Sequence, residues 1–444
     1  MTTTRHVLVG TGIAAISAAE AIRRTDPRVS ITMIGSEAGH WYSRPGLAYL
    51  LTGEIPAEGL MIRTPAEVTR LGVTQVSARV VRIEPANRWV VLDGGDRVHY
   101  DRLLLATGAA SITPPFPGAS LRGVMRLDAW DDARELLARA RPGGVAVVAG
   151  GGSTALELVE GLHARGMETH YLMRGARYWS RVLDPVESAM VEARLLADGV
   201  QLHRHTAIRA VTGDARDQVT GVDTEDGRHL PCDLVAVAVG VRPNVALARE
   251  AGIATDRGIL TSEFMETSVP DVYAAGDAAQ VHDPVTRRSE LDTLWASAQS
   301  QGTIAGMNMA GQRVPHRTRP PINVTRLGGI TATIVGRVGG AGSDPDLLTL
   351  TRGQSERWAG GEGSWSIGGA RAGDRLRVVV SGRAIVGAVV MGDQGLSRPL
   401  AHLIGEAVDI SALRPALDAS PERAMDILLD FCADHVGDRT AAHR

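Results

Sequence analysis

The chain has 444 residues, of which 44% are apolar, so roughly three domains of ordinary size with sizeable cores fit within it. Its net charge is −3, with 47 basic and 50 acidic residues, and this balance gives no indication of a nucleic-acid or anionic-membrane partner. No apolar run reaches the roughly 18 residues that a membrane span needs, and the N-terminus leads into a strand pattern without a signal peptide. These features predict a cytoplasmic protein.

Cysteine is scarce, since only Cys232 and Cys432 occur and they lie far apart. Because no C-x-x-C or C-x-x-x-x-C spacing exists, the sequence excludes a redox disulfide between neighbouring cysteines. It also excludes an Fe–S cluster held by four cysteines of this chain. Cys232 follows Pro231 at a predicted strand start, and we expect it to be a small buried residue.

Two glycine-rich turns of the pattern G-x-G-x-x-A each follow a predicted strand and precede a predicted helix. The first contributes Gly10, Gly12 and Ala15, and the second contributes Gly150, Gly152, Ser153, Thr154 and Ala155. In such a turn the first glycine allows the tight bend, and the second lets the backbone approach a pyrophosphate at the helix N-terminus. The small third residue permits close helix–strand packing. Two such turns, about 140 residues apart, predict two dinucleotide sites, typically for FAD and NAD(P)H.

The first turn opens a predicted nucleotide-binding fold. The pattern predicts a strand over 6–10, a helix over 13–24 and a second strand over 29–34. Glu37 follows that strand, where an acid binds a ribose hydroxyl in this fold; the alternative is a solvated loop charge. The continuous apolar run at 103–105 predicts a buried parallel strand that ends in a turn of small residues.

Prolines 114, 115 and 117 interrupt the chain, and we place a domain boundary there. A second unit follows, and the chain then returns to the first. The predicted elements are a helix over 155–164, strands over 169–173 and 233–240, a strand–turn–acid segment over 269–277 and a helix over 294–309. The alternation of strands and helices predicts two Rossmann-like α/β domains.

The chain changes character from about residue 314. Residues 339–373 are rich in Gly, Ser and charge, which predicts a mobile hairpin or a poorly ordered loop. Residues 376–391 alternate and break at Ser381-Gly382, which predicts a hairpin, and residues 421–436 predict a helix. We therefore expect a C-terminal α+β domain after the two Rossmann-like domains.

In this order, the segments resemble the FAD-dependent pyridine nucleotide-disulfide oxidoreductases of the glutathione-reductase structural class, over nearly the whole chain. The resemblance rests on the two turns, on Ala106-Thr107-Gly108, and on the Y-A-A-G-D motif that ends at Gly276-Asp277. It implies an FAD-binding domain of residues 1–117 and 244–313, an NAD(P)H-binding domain of 118–243, and an interface domain of 314–444. It further implies a homodimer formed through that last domain.

Within the class, Tyr42-Ser43-Arg44-Pro45-Gly46-Leu47 and the segments at 301–311, 323–326 and 387–393 resemble rubredoxin reductases and the flavoprotein module of assimilatory nitrite reductases. The cofactor contacts that the resemblance implies are Ala106, Thr107, Gly108 and Asp277. Further predicted cofactor contacts are Arg44, Pro45, Val81, Gly240, Gly276 and Trp295. For Trp295 the alternatives are stacking on the flavin or nicotinamide and ordinary core or hinge packing. For Arg44 the alternatives are a charge that balances the flavin or its phosphates and a surface salt bridge.

The chain departs from the family that it resembles at two places, which the resemblance puts near the flavin. The loop at residues 40–50 has no cysteine, so disulfide, CoA-disulfide and cysteine-sulfenate peroxidase chemistry are not expected. Tyr49 stands where some relatives have a lysine that pairs with a glutamate, whereas that glutamate is kept as Glu157. Tyr49 and Glu157 are therefore the candidate catalytic residues, with Glu157 on the nicotinamide side. The alternative for Glu157 is a first-turn carboxylate that favours the helix dipole.

Short sequence patterns are the basis for predicting which nicotinamide nucleotide binds and whether a metal binds. Met173 ends the second strand where NAD enzymes have an acid, and Arg174 with Arg177 follows, which favours NADPH and leaves NADH open. His203 and His205 lie two apart on a predicted strand without an evident third ligand, so no metal site is expected. The arginines of 313–319 are either a solvated link or a docking patch for an acidic electron carrier.

The resemblance implies an enzyme in which NAD(P)H delivers a hydride to flavin N5 and the electrons then pass to an acceptor. That acceptor would be a redox protein or a partner reductase, such as a rubredoxin, a ferredoxin or a nitrite/nitrate-reductase component. One alternative is an NAD(P)H oxidase or a quinone or small-molecule reductase. A second, of another class, is a redox-sensing binding protein similar to apoptosis-inducing factors.

Overall fold

The structure is a computed structural model that describes residues 4–37, 41–339, 352–359, 364–371 and 373–441. The chain divides into two compact units. The first spans Met1–Leu172, Thr206–Thr318 and Thr349–Ser355, and the second spans Met173–His205, Arg319–Leu348 and Glu356–Arg444. The boundaries of the three predicted domains stay a prediction.

The helices of the described residues are distributed over both units. They are α1 (Ile13–Thr25), α2 (Leu47–Thr52), α3 (Pro65–Leu71), α4 (Trp130–Arg139), α5 (Ser153–Ala164), α6 (Pro185–Ala197), α7 (Ala246–Glu250), α8 (Trp295–Met309), α9 (Ser397–Gly405), α10 (Arg414–Ala419) and α11 (Ala424–Ala441). The helices predicted over 13–24, 294–309 and 421–436 are confirmed as α1, α8 and α11.

The strands, like the helices, are distributed over both units. They are β1 (Arg5–Val9), β2 (Ser30–Gly35), β3 (Thr74–Ser77), β4 (Val80–Glu84), β5 (Trp89–Leu92), β6 (Arg97–His99), β7 (Arg102–Leu105), β8 (Ala109–Ser111), β9 (Val124–Met125), β10 (Val145–Gly150), β11 (Glu168–Leu172), β12 (Gln201–His203), β13 (Ile208–Gly213), β14 (Val219–Thr224), β15 (His229–Pro231), β16 (Leu234–Ala238), β17 (Val241–Pro243), β18 (Ile259–Thr261), β19 (Val272–Ala274), β20 (Ala279–Asp283), β21 (Arg288–Leu291), β22 (Ile322–Leu327), β23 (Ile330–Gly336), β24 (Trp365–Arg371), β25 (Asp374–Ser381) and β26 (Ala384–Met391).

The first unit contains two parallel sheets, as the apolar runs predict. One has the strand order β19-β7-β1-β2-β3, with Val7 of β1 opposite Thr32 and Leu103. In the other, β11, β10, β16 and β9 lie side by side, with Val147 of β10 opposite His170 and Val235. The interior strands β7 and β16 are largely buried, because helices cover both faces of such sheets. The predicted α/β class with Rossmann-like domains is confirmed.

Helices α1 and α8 pack so closely that glycine is required between them. A Cβ atom on Gly302 would lie 2.1 Å from the carbonyl oxygen of Ala14, and one on Gly306 would lie 2.4 Å from that of Ala18. The small residues of the helix predicted over 294–309 therefore allow close backbone contact with α1, and are not there to raise helix propensity. Helix α8 also packs on β7 and β19 of the same sheet, so this contact fixes α1, and with it the first glycine turn, beside α8.

The second unit is built on an antiparallel sheet of order β22-β23-β26-β25-β24. Its core includes Leu376, Val378 and Leu400, all fully buried. Arg377 of β25 makes a bidentate ion pair with Glu187 of α6, with N–O distances of 2.8 and 3.0 Å. Because both side chains are buried, removal of either one would leave an uncompensated charge in the core.

The structure corrects two expectations about local structure and distinguishes the alternatives of a third. Residues 365–371 form strand β24, which pairs in register with β25, so this part of 339–373 forms a hairpin rather than a loop; residues 340–351, 360–363 and 372 lie outside the described residues. His205 lies beyond the end of β12 in a left-handed conformation, with φ of +52°, so it does not share a strand face with His203. Helix α5 begins at Ser153, two residues earlier than predicted, so Glu157 lies in its second turn.

Other expectations hold. The hairpin predicted over 376–391 is confirmed as β25 and β26, which are joined at Gly382. Cys232 is buried, as expected, and burial raises the pKa of its thiol to about 12. A thiol held in its protonated form is a poor nucleophile, which agrees with a packing role.

The contact between α1 and α8 generates a stability prediction. Gly302→Val would place two methyl groups against the Ala14 backbone, and we expect the free energy of unfolding in urea to fall by about 3 kcal/mol. Ser300→Val, on the exposed face of the same helix, is the matched control and should change it by no more than about 0.5 kcal/mol. Equal effects of the two variants would contradict the close approach.

Candidate functional site

The first glycine turn combines one crowded position with one open position. A Cβ on Gly10 would lie 2.1 Å from the Ala106 carbonyl oxygen, and the residue has a φ of +124°, so the bend between β1 and α1 requires glycine. A Cβ on Gly12 would meet nothing within 4 Å. Gly12 caps α1, whose first turn contains no acid, and Ala15 is fully buried below it. Unpaired helix N–H groups that face open space fit a pyrophosphate.

The second glycine turn, at the start of α5, also begins with a crowded glycine. Its open position is Gly151, the middle residue of the turn, whereas Gly152, the counterpart of Gly12, is buried. A Cβ on Gly150 would lie 2.3 Å from the Ala238 carbonyl oxygen, whereas one on Gly151 would meet nothing within 4 Å. Gly152 caps α5, whose first turn again contains no acid. Ser153 and Ala155 are buried, and Thr154 is half-buried. The residues present at both turns therefore fit a dinucleotide.

A pair of short strands links the two nucleotide folds. Strand β8, directly after the Ala106-Thr107-Gly108 turn, pairs antiparallel with β17, and Gly240 accepts a hydrogen bond from Ile112 N at 2.9 Å. Thr107 Oγ1 donates to Asn244 O, and Asn244 Nδ2 donates to Thr107 O, both at 2.8 Å. Sequence analysis missed Asn244, although its place after Pro243 at the end of a strand is a turn signal. The Ala106-Thr107-Gly108 turn is thus held by hydrogen bonds to Asn244 and by the pairing of β8 with β17.

Glu37 and Arg44 lie together. Arg44 forms an ion pair with the Glu37 carboxylate, which also accepts a 2.9 Å hydrogen bond from the Tyr42 hydroxyl. Arg44 Nη1 donates to the Asp128 carbonyl oxygen at 2.6 Å. Burial raises the pKa of Tyr42, so its hydroxyl stays a donor. The structure thus brings two predicted FAD-side residues into one network; Pro45 beside them is exposed. The ribose contact of Glu37 stays a prediction.

The two candidate catalytic residues lie on helices that pack together, Tyr49 on α2 and Glu157 on α5. Gly161 of α5 lies against α2, since a Cβ there would come within 2.7 Å of the Leu51 Cβ. Arg165, which follows α5, donates to the carbonyl oxygens of Leu51 and Leu50 at 2.7 and 2.9 Å. A cation at the carbonyl end of α2 favours its dipole and fixes the helix pair.

Two carboxyl groups of this unit are harder to ionise than usual. Burial raises the pKa of Glu157 to about 7; the charge of Glu160 acts in the same direction, and the charge of Arg352 opposes both. Burial also raises the pKa of Asp277, where Arg352 again opposes it. The second-turn position of Glu157 removes the helix-dipole explanation, because that effect is confined to the first turn.

The remaining predicted contacts have the following positions. The Gly276 N–H donates to Gln301 Oε1 of α8 at 2.8 Å, which fixes the backbone beside Asp277. Trp295 is half-buried and begins α8. Val81 is an exposed side chain on β4. Arg174 is exposed and follows β11 by two residues, in the second unit.

Two further observations concern the predictions about metals and membranes. In the described part of the chain, no group of three His, Cys, Asp or Glu side chains is placed to hold a metal ion. None of the helices that the structure describes is long and apolar enough to cross a membrane. Arg313 of the 313–319 stretch packs over the Phe264 ring at 4.0 Å and lies 3.7 Å from Glu266.

Comparison with known proteins identifies the family. The model of the pyridine nucleotide-disulphide oxidoreductases matches residues 4–302, which is more than half of the chain. The chain belongs to this family, and it is an FAD-dependent NAD(P)H oxidoreductase. The predicted class and cofactors, FAD with NADH or NADPH, are confirmed.

Individual relatives agree with this assignment. An NADH oxidase of Methanocaldococcus jannaschii is 30% identical over 361 residues, which cover 78% of each chain. A rubredoxin-NAD(+) reductase of Alcanivorax borkumensis is 33% identical over 305 residues, covering 68% of this chain and 78% of that one. The crystal structure of a putidaredoxin reductase–putidaredoxin complex shares the fold, with a TM-score of 0.81 at 24% identity and coverage of 96% and 100%.

The pKa of Glu157 generates a prediction about stability and pH. Because the folded pKa of about 7 is above the ordinary 4.5, the folded protein binds a proton that the unfolded chain releases between these pH values. Wild-type protein therefore loses stability at this site as the pH rises from about 4.5 to 7. We expect the stability advantage of Glu157→Gln to grow over that range and to level off above it.

The measurement is urea denaturation of both holoproteins at pH 5 and pH 8. Glu58→Gln, which removes an exposed carboxylate from the same unit, is the matched control. If Glu157→Gln and wild type differ by the same free energy at both pH values, Glu157 ionises in its ordinary range and the buried setting is wrong.

Proposed function

We propose that the chain is an electron-transfer reductase that oxidises NAD(P)H and passes electrons through FAD to a small redox protein of the rubredoxin or ferredoxin kind. The observation that carries the proposal is the pair of glycine turns, one before α1 and one before α5, in two nucleotide folds that β8 and β17 link and in a chain without a redox cysteine pair. The similarity to a rubredoxin reductase supports this choice of acceptor. The alternative acceptor is a partner reductase subunit.

The roles of individual residues follow from their positions. Gly10, Gly12 and Ala15 would hold the FAD pyrophosphate at α1, and the second turn would hold the nicotinamide dinucleotide at α5. FAD, when bound, accepts a hydride from NAD(P)H and releases electrons to the acceptor. The protein's task is orientation and exclusion of water, so Glu157 would orient the nicotinamide and Asp277 the flavin chain. Tyr49 would cover the flavin from α2.

The remaining proposals concern organisation. The second unit, with its antiparallel sheet and terminal helices, would supply the interface of a homodimer, and the protein would act in the cytoplasm. The three-domain division, at residues 117/118, 243/244 and 313/314, is kept as the functional description. It places the linking strands β8 and β17 at the two crossings between the nucleotide domains.

Nucleotide choice is proposed to favour NADPH. Arg174 follows β11 where an acid would repel the 2′-phosphate, and its exposed guanidinium is available for a charge-assisted pair. We expect Arg174→Ala to weaken NADPH binding roughly tenfold or more and to leave NADH binding within about twofold. The measurement is the Kd of each nucleotide for the holoprotein by fluorescence titration.

Arg216→Ala removes an exposed arginine from the β13–β14 turn and is the matched control for this titration. It should leave both Kd values unchanged. If Arg174→Ala weakens NADH and NADPH equally, Arg174 does not read the 2′-phosphate, and NADH becomes the better supported cofactor.

The acceptor is tested by a comparison of turnover with and without a carrier protein. We expect anaerobic NAD(P)H oxidation by the holoprotein to accelerate at least about tenfold when rubredoxin or ferredoxin is added, because the reduced flavin can then pass its electrons to the carrier. Oxidation with dissolved oxygen alone should stay slow. If oxygen alone gives the full rate, the protein is an oxidase. The similarity to an NADH oxidase makes this the leading alternative.

A further inference from the structure

A short segment, Arg352-Gly353-Gln354-Ser355, joins the first unit although it lies about 40 residues after the last element of that unit's fold. Gln354 O accepts hydrogen bonds from Thr293 N and Thr293 Oγ1, both at 2.9 Å, and Ser355 forms a β-bridge with Asp292. The segment is thus attached to the loop that leads into α8.

Arg352 extends this attachment to both nucleotide folds. Its carbonyl oxygen accepts a 3.0 Å hydrogen bond from Ser153 Oγ, the first residue of α5. Its guanidinium Nη2 lies 2.8 Å from Asp128 Oδ1 and 3.4 Å from the carbonyl oxygen of Ala109, which directly follows the Ala106-Thr107-Gly108 turn. Arg352 therefore contacts both the first residue of α5 and the residue that follows the Ala106-Thr107-Gly108 turn.

The Arg352 side chain is only 19% exposed, so its charge is weakly screened by water. That charge acts on Glu157 of α5 and on Asp277 after β19, and it favours the ionised form of each. The other charges that act on these two carboxyls are Glu160, Asp292 and Arg44. Of these, Glu160 and Asp292 are acids, and Arg44, which is paired with Glu37, acts on Asp277 and not on Glu157. Arg352 is itself paired with Asp128, but its charge acts on both carboxyls. Arg352 is thus the cation common to both carboxyls.

We propose that Arg352 is a positioning residue of the hydride-transfer site, which supplies the positive charge shared by Glu157 and Asp277 while its backbone joins the two nucleotide folds. The inference rests on the proposed places of these carboxyls beside the cofactors, and it adds a residue that the proposed function does not require. An ionised Glu157 favours a cationic, oxidised nicotinamide, so Arg352 lowers the pH below which that attraction is lost.

The test is an infrared titration of the Glu157 carboxyl in the holoprotein, identified by subtraction of the Glu157→Gln spectrum. Arg352→Gln removes the charge, and we expect the midpoint of Glu157 to move upward by about one pH unit or more. Arg352→Lys keeps the charge and should stay near the wild-type midpoint. Arg88→Gln, which removes a guanidinium paired with Asp271, is the matched control and should titrate as wild type.

Thr293→Val serves as a second variant if Arg352→Gln does not fold. It removes the Thr293 Oγ1 hydrogen bond to Gln354 O and leaves every charge in place, so a smaller upward shift is expected. The proposal is overturned if Arg352→Gln, or Thr293→Val where Arg352→Gln does not fold, titrates as wild type does. It is also overturned if Arg88→Gln shifts the midpoint as far as Arg352→Gln. The titration uses neither an acceptor nor a nucleotide, so failure of the proposed acceptor would leave the shift intact.

Discussion

Close backbone approach is the constraint on which the first unit depends. At Gly10, Gly150 and Gly302 an added Cβ would lie within 2.1 to 2.3 Å of a carbonyl oxygen from another element. These three contacts hold α1 beside α8 and against the end of β7, and hold α5 against β16. The first turns of both helices therefore present their N–H groups at fixed positions, directly after Gly12 and Gly152. The missing side chains leave these helix N-termini accessible, and it is there that we propose the cofactors bind.

The chemistry asked of the protein is correspondingly modest. A hydride moves between two cofactors, so the protein has to orient them and control the charge around them. Partly buried carboxyls would resist ionisation without a nearby cation, and the contacts of Arg352 with Asp128, Ala109 and Ser153 place one between the two folds. Positioning and charge control thus come from one short segment that lies far along the chain.

The fold could be predicted because its signals are local. A few neighbouring residues are enough to predict each of these features: the turns at Gly10 and Gly150, the apolar run of β7 and the small residues of α8. The start of α5 was placed too late because Ser153 and Thr154 belong both to the turn pattern and to the helix. The left-handed backbone at His205 had no signal in its neighbours.

The site was only partly predictable, because its contacts join distant segments. Asn244 and Thr107 exchange hydrogen bonds across 137 residues, and Arg352 and Asp128 across 224. Arg352 also lies in a Gly-rich stretch whose composition predicts a loop, so no periodicity singled it out. By contrast, Glu37 and Arg44 are seven residues apart, and both were found from the sequence.

Rapid anaerobic mixing of the holoprotein with NADH or NADPH, followed at the visible flavin band, tests the central claim most directly. If the two turns hold FAD and a nicotinamide dinucleotide against each other, at least one nucleotide bleaches the band as fast as the enzyme turns over with its acceptor. If neither nucleotide bleaches it at that rate, electrons do not enter through the second turn, and the account of hydride transfer is wrong.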